Sequence, residues 1–282
     1  MPVSPSSSAQ AAREALASRL REIRHDAGLT GHELAALCGW HKSKSSRLEN
    51  AKSSPSDDDI RAWCGACDAA DQASDLIAAR RTTDSMYVQW RRLQRTGLRR
   101  LQENALPLYE RTSHFRVYST RVMPGVLQTR DYARALLSNI ARFRGVPDDS
   151  TEAAVARVAR SSKARENGRC FGILMEEDVL YYPYGGAATM VGQLTHLLDA
   201  MRSPHVSLGV IPRTTPRRIW GQETFTMFDE GRVHVELLTA KVTITQPSEV
   251  ALYGRAFAEL SHMAVYGGKA RSLIMKACDA LR

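Results

Sequence analysis

Apolar residues near the start of the chain follow a helical period. Ala12, Leu16, Leu20 and Ile23 lie three or four positions apart within Ala11 to Ala27, and Gly28 follows as a stop. Thr30 is an N-cap residue for a short helix, Gly31 to Leu37, which Gly39 ends. A second short helix spans His41 to Asn50. After the break Ser53-Ser54-Pro55, Ser56 caps a helix from Asp57 to Cys67, whose three leading acids suit the helix dipole. A further helix covers Asp71 to Arg81. The stretch from Asp84 to Glu110 reads as one longer helix interrupted near Gly97.

Beyond it the texture changes. Phe115–Thr120 alternates like a strand, Met123-Pro124-Gly125 is a turn, and Thr129 caps a helix to Arg142. A helix follows over Thr151 to Arg165. Apolar runs predict strands at Cys170–Met175, Val206–Ile211, Thr224–Phe228 and Val233–Leu238, with a weaker one at Val242–Thr245. Helices are expected at Thr189–Met201, from Pro247 to Val265, and at Lys269–Leu281. The fold class is therefore mainly α plus α+β: a five-helix N-terminal domain followed by an α+β C-terminal domain. The predicted organisation is a disordered N-terminus (1–10), a helical domain (11–82), a helical connector (83–110) and an α+β domain (111–282).

Length agrees, since 282 residues at roughly 100–200 per domain give two domains. A 43% hydrophobic fraction is enough to bury cores and argues against wholesale disorder. No run approaches the ~18 apolar residues of a spanning helix, and MPVSPSSSAQ lacks the basic and apolar regions of a secretory signal. Five scattered cysteines are an odd number, which opposes a disulfide framework. A cytoplasmic protein is the expectation.

The most informative segment is Leu29 to Asn50. Leu34, Ala35, Leu37 and Trp40 supply an apolar inner face, and Gly39 permits a sharp turn. In the second helix Leu48 faces inward, while Lys42, Ser43, Lys44, Ser46 and Arg47 crowd the other side. Short hydroxyls beside long cations suit a helix inserted into a major groove. The segment resembles the phage-repressor-like helix-turn-helix family, whose usual form is L-T-Q-E-E-L-A, then L-G, then S-x-S-x-V-S-R-x-E-N-G. The resemblance implies a backbone-crossing helix at Gly31–Leu37 and a recognition helix at His41–Glu49. It assigns DNA contact to Thr30, His41, Lys42, Ser43, Lys44, Ser46, Arg47 and Asn50. Three positions depart: Gly31 replaces the Gln, Ser45 the buried Val, and Ala51 the closing Gly.

Residues 111–265 resemble the C-terminal domain of actinobacterial (Streptomyces-type) helix-turn-helix regulators, a domain of unassigned function. The stretch Val122-Met123-Pro124-Gly125-Val126-Leu127-Gln128-Thr129-Arg130-Asp131-Tyr132-Ala133-Arg134 carries the likeness, the family pattern being P-G-L-L-Q-T-x-x-Y-A-R. Glu176–Leu180, Gly221–Phe228, Val233–Glu236 and the helix from Pro247 also match. The resemblance implies a transcriptional regulator, often encoded beside a small protein partner.

Other signals admit two readings each. Cys64-Gly65-Ala66-Cys67 could bind zinc with Cys38 and His41 or act in redox chemistry, or be two buried thiols on a helix. Arg91, Arg92, Arg95, Arg99 and Arg100 could meet phosphates or form a solvated face. Gln128, Tyr132 and Arg134, together with Tyr182, Tyr184 and Trp220, are candidates for a ligand or partner surface. Thr129 reads more simply as a cap, and Tyr132, with Ala133 and Leu136, more simply as core. Enzyme signatures (HExxH, GxSxG, P-loop, Rossmann glycines) are absent, so the sequence predicts no enzyme, no cofactor and no metal site.

The expected function is a sequence-specific DNA-binding transcriptional regulator. It acts as a homodimer on a double-stranded operator, since one short helix reads one half-site and two lie ~34 Å apart. Its C-terminal domain would serve dimerisation, a small-molecule effector or a small protein partner. The rivals are an antitoxin-like or anti-regulator partner module and a small-molecule-binding enzyme. Net charge is +9, yet residues 1–82 hold 11 basic and 11 acidic side chains, so the surplus lies elsewhere.

Overall fold

The computed structural model describes residues 5–82, 87–94, 97–166, 168–221, 223–238 and 240–281. The chain forms two compact units, Met1–Tyr87 with Ile244–Val250, and Val88–Thr243 with Ala251–Arg282. The expected connector therefore divides at Tyr87, its part from Val88 to Glu110 falling in the second unit.

The first unit contains α1 (Pro5–Asp26), α2 (Gly31–Leu37), α3 (Lys42–Glu49), α4 (Asp57–Ala66) and α5 (Ala73–Thr82), the last preceded by a 3-10 turn at Ala70–Gln72. Helix α1 begins at Pro5, inside the segment expected to be disordered. Proline at the first helical position loses no hydrogen bond, which favours that start. The inner stripe of α1, Leu16, Leu20 and Ile23, packs with Leu34, Leu48, Ile60, Trp63, Leu76 and Ile77 in one core. The indole Nε1–H of Trp63 donates to the Leu20 carbonyl at 3.0 Å, so the largest core side chain buries no orphan donor. Leu37 departs from expectation: it is exposed. The stripe that faces the core runs through Leu34 and Ala35, and half-buried Cys38, four residues after Leu34, completes it.

The second unit is built on a seven-stranded sheet. Its strands are β1 (Tyr87–Gln89), β2 (His114–Ser119), β3 (Cys170–Glu176), β4 (Val206–Ile211), β5 (Phe225–Phe228), β6 (Arg232–Glu236) and β7 (Ala240–Ile244), in the order β1-β7-β6-β5-β2-β3-β4. Strands β2, β3 and β4 are parallel, whereas β5 is antiparallel to both β2 and β6. Parallel pairing needs crossovers. These are α9 (Arg130–Arg144) with α10 (Ser150–Glu166), and then α11 (Ala187–Ala200). The chain closes with α12 (Pro247–Met263) and α13 (Gly267–Ala280). Phe115, Phe171, Ile173 and Met175 of the sheet pack with Tyr132, Leu194 and Ile274 of the helices.

The stretch expected as one long helix is instead β1, then α6 (Trp90–Leu93), α7 (Leu98–Asn104) and α8 (Leu106–Arg111). Gly97 sits at φ +95°, where the Asp149 carboxylate leaves no room for a Cβ and caps the N–H groups of Leu98 and Arg99. Pro107 ends α7 by starting α8. Residues 84–86 and Arg95 lie outside the described residues, as do the side chains of Arg91 and Arg92.

Candidate nucleic-acid interface

Two caps fix the start of the helical pair. The Thr30 N–H and hydroxyl donate to Glu33 Oε2 at 2.8 and 2.7 Å, and Thr30 Oγ1 accepts from the Glu33 N–H at 3.2 Å. These bonds hold the Glu33 carboxyl below the usual carboxylate range. Gly39 takes φ +66° in the turn, and Trp40 N–H donates to the Ala35 carbonyl at 2.7 Å. His41 then caps α3, its Nδ1 accepting from the Ser43 N–H at 3.3 Å and lying 2.8 Å from Ser43 Oγ.

Helix α3 is pinned from behind. Ser45, standing where the family carries Val, is buried, and its hydroxyl bonds the Gly31 and Lys42 carbonyls at 3.2 and 3.1 Å. A polar residue is thus accommodated on the inner face. At the other end Arg24 Nε lies 2.5 Å from Glu49 Oε1, with side chains only 9% and 12% exposed. Arg24 also donates to the Leu29 carbonyl at 2.6 Å, and Arg21 to the Glu49 carbonyl. Sequence reasoning missed this anchor. Glu49 is visible in the family pattern, but its partner lies 25 residues away on α1.

With Ser45 and Leu48 inside, Ser43, Ser46, Arg47 and Asn50 share the outer face, and Lys42 lies at its rim. The side chains of Lys42 and Arg47 are exposed and have no hydrogen-bond or ion-pair partner among the described residues. Asn50 Nδ2 donates to the Ser46 carbonyl at 2.7 Å and closes the helix. Lys44 lies on the opposite rim and is engaged inside the protein. Its Nζ is 2.5 Å from Asp59 Oδ1 and 4.4 Å from the Trp40 ring centroid. Burial alone would raise the Asp59 pKa, but its bonds to Lys44 and Ser56 outweigh that and hold it low. Thr30, His41, Lys44 and Asn50 therefore shape the helices, and Lys42, Ser43, Ser46 and Arg47 present the outward surface.

Cys64 and Cys67 are buried and free, and burial pushes the Cys64 thiol up to about 11. Cys38 donates to the Ala62 carbonyl at 3.5 Å, and His41 serves as a cap. The four do not form a ligand set. Among the described residues no group of three His, Cys, Asp or Glu side chains is placed to hold a metal ion. Arg99 pairs with Glu103 at 2.7 Å.

The C-terminal candidates separate. Gln128 is buried, its Nε2 donating to the Met123 carbonyl and its Oε1 accepting from Arg157 Nη1, both at 2.7 Å. Tyr132 is fully buried, and its hydroxyl accepts the Met123 N–H at 3.1 Å. Thr129 caps α9, and its N–H donates to Gln193 Oε1 at 2.8 Å. The P-G-x-x-Q-T-x-x-Y-A-R element is thus a self-bonded turn, and Gln128 and Tyr132 are corrected from surface candidates to buried framework. Tyr184 packs edge-on against Tyr132 at 5.8 Å, and Tyr182 is half-buried. Arg134 and Trp220 are exposed. Glu176 and Asp178 form ion pairs with Arg217 and Arg213, so the acidic cluster braces the loop that carries Trp220.

No helix among the described residues is long and apolar enough to cross a membrane. Residues 15–76 match the model of a helix-turn-helix domain. No curated protein matches the chain. The solved structure of TrmBL2, an archaeal chromatin protein reported to show a novel mode of DNA binding, is similar at 13% identity and a TM-score of 0.35. That likeness covers 64% of this chain and 52% of that one, so the chain spans about half of its length. Residues 103–276, well over half of the chain, match the model described as "Domain of unknown function (DUF5753)", and the chain belongs to that family.

Proposed function

We propose that the protein is a sequence-specific DNA-binding transcriptional regulator of the actinobacterial type, cytoplasmic, with α3 entering the major groove. The observation that carries this reading is the outward row Lys42, Ser43, Ser46 and Arg47 on a helix locked at both ends. Cations whose side chains have no partner among the described residues, on the outer face and rim of a helix anchored at both ends, match a polyanion whose base edges accept hydrogen bonds. One such helix covers a single half-site, so the active species in this reading is a homodimer on a pseudo-palindrome. The second unit provides dimerisation, effector or partner contact and has no catalytic role. A second reading, a protein-partner module, is favoured by Trp220, which is 77% exposed in a basic loop. Co-purification with the product of an adjacent gene in the absence of DNA would support it.

Selection of bound fragments from random duplex DNA by the full chain tests the main reading. The expected result is an enriched motif of two inverted half-sites about one helical turn apart. Recovery of the same fragments by wild type and by Arg47→Ala would overturn the assignment of α3.

A further inference from the structure

The second unit has a group of cations facing inward from two sides. On α10, Arg157 and Arg160 stand three residues apart, and both bond Gln102 Oε1, at 3.1 and 3.3 Å. Their guanidinium groups are therefore neighbours. Arg160 is only 8% exposed, and its Nε has no hydrogen-bond partner. Its guanidinium lies 4.3 Å from the centroid of the Tyr109 ring.

A continuous stack leads from there to the sheet. Tyr109 meets Phe228 at 5.8 Å, and Phe228 meets the His234 ring at 4.7 Å. The pairing of Phe228 with Arg232 and of Thr226 with His234 puts Arg232 and His234 on one face of β6. The β6–β7 turn closes with a Leu237 N–H bond to Ala240, which sets Lys241 opposite Glu236 on that same face. The His234 Nε2 is buried and without a partner.

Among the described residues none of these five side chains forms an ion pair with a carboxylate. Glu236 is exposed and forms none itself. Burial, and then Arg160 beside it, pushes Arg157 down to about 10 against the pull of Glu236. Burial likewise lowers Lys241, against the pull of Glu236. Partly buried cations that share one exposed carboxylate, Glu236, are costly to hold, and a bound anion would offset that cost. Tyr109, Glu110, Arg160, Lys163 and Arg169 line a closed seam with no open volume, at which Glu110 is paired with Lys163 at 2.6 Å, so an entering ligand must displace side chains there.

We propose that Arg157, Arg160, Arg232, His234 and Lys241 form a binding site for a small anionic ligand bearing a phosphate or carboxylate group. The paired guanidinium groups provide the planar fork that grips such oxyanions. Burial of Arg160 excludes a duplex, whose phosphates cannot leave the helix surface, and selects a small molecule. Gln128, expected from sequence to touch a ligand, takes an indirect part by holding Arg157. The inference goes beyond the regulator reading, and its test contains no DNA, so either can fail alone.

The test is thermal unfolding of the full chain at constant ionic strength, with chloride replaced by inorganic phosphate, glycerol 3-phosphate or citrate. Binding to the folded state alone should raise the melting temperature by about 3 °C or more near saturation. A response to either phosphate compound identifies a phosphate ligand, and a response to citrate alone identifies a carboxylate. Arg160→Gln should abolish the response, read as the shift from its own ligand-free melting temperature, because Arg160 also bonds the Gln102 carbonyl at 2.9 Å and covers the Tyr109 ring. The exposed-site control Arg134→Gln should respond like wild type. No response to any of the three anions, or an equal response in R160Q and R134Q, overturns the site. If R160Q does not fold, calorimetric titration of wild type with the same three anions decides: saturable heat supports the site, and its absence overturns it.

Discussion

Lys44 and Arg47 are three residues apart on α3, and a sequence pattern treats them alike. The structure predicts opposite phenotypes. Lys44→Ala removes the ion pair to Asp59, whose side chains are 37% and 17% exposed, and the cation over Trp40. A pair in that half-exposed setting contributes about 0.2–1 kcal/mol, and an exposed cation–π contact about 0.5–1 kcal/mol. Asp59 keeps its bonds to Ser56, so the loss should stay near 1 kcal/mol, or about 4–8 °C for a unit of 60–100 residues. Arg47→Ala removes no internal contact among the described residues, and melting should move by less than about 0.5 kcal/mol. Its cost falls on DNA. If Arg47 reads a base, affinity should drop by about 1–3 kcal/mol, roughly 5- to 150-fold. If it meets a phosphate, the slope of log affinity against log salt should fall by about 0.9. Fluorescence anisotropy on the selected operator at several salt concentrations, beside thermal melts of each variant, measures all of these. A Lys44→Ala protein that melts like wild type yet loses DNA as severely as Arg47→Ala would refute the division.

Glu49→Ala strands Arg24 in a buried site and should destabilise the first unit by about 3–5 kcal/mol, seen in chemical denaturation followed by Trp40 and Trp63 fluorescence. Ala51 holds φ +54°, so Ala51→Gly should stabilise by up to about 1 kcal/mol; an unchanged or lower midpoint would count against strain there. Tyr132→Phe leaves the Met123 N–H without its acceptor and should cost about 1–3 kcal/mol with operator affinity unchanged in protein that remains folded. Burial, with Lys241 and Arg232 adding to it, pushes His234 down to about 3, so at intermediate pH only the unfolded chain gains that proton. Stability is then fully present above the unfolded value and declines as pH falls toward 3, by about 1.4 kcal/mol at pH 5.5 against a reference near 6.5. His196 shifts the same way, so urea midpoints of His234→Gln should show a smaller fall between pH 7.5 and 5.5 than wild type, and an identical fall would refute the assignment.

Local signals carried most of the fold. The caps Thr30, Ser56 and Thr129 mark helix starts because each side chain bonds a backbone N–H two or three residues on. The strand at Val206–Ile211 stands where its apolar run places it. What was not legible depends on distance in sequence. Asp149 shapes the turn at Gly97 from about fifty residues away, so the connector looked like one interrupted helix. Strand β1 is three residues long and has no periodicity to read. In the candidate site, the helical period identified which residues of α3 point outward. It could not show that Asp59 claims Lys44 or that Arg24 claims Glu49. Gln128 and Tyr132 looked like ligand contacts because polar groups at a turn often are, and only the Met123 backbone between them reveals their use.

The same pairing explains why net charge misleads here. In the first unit Arg19, Arg24, Lys44, Arg61 and Arg80 each bond a carboxylate of that unit. Five of the eleven carboxylates that make residues 1–82 neutral are thus matched to cations away from the outer face of α3. Lys42, Arg47 and Lys52 form no ion pairs among the described residues, at and just beyond that helix. Salt confines a charge's influence to about 10 Å at 0.1 M, so DNA lying against α3 meets these three and not the chain average. The surplus of residues 111–282, 23 basic against 16 acidic, includes Arg157, Arg160, Arg232 and Lys241. These four are the cations of the proposed anion site, half-buried except for buried Arg160, and suit a small anion better than a duplex. The external row on α3 is therefore suited to a polyanion although its segment adds nothing to the +9, and the surplus itself lies beyond residue 82, where it includes a group suited to a small anion.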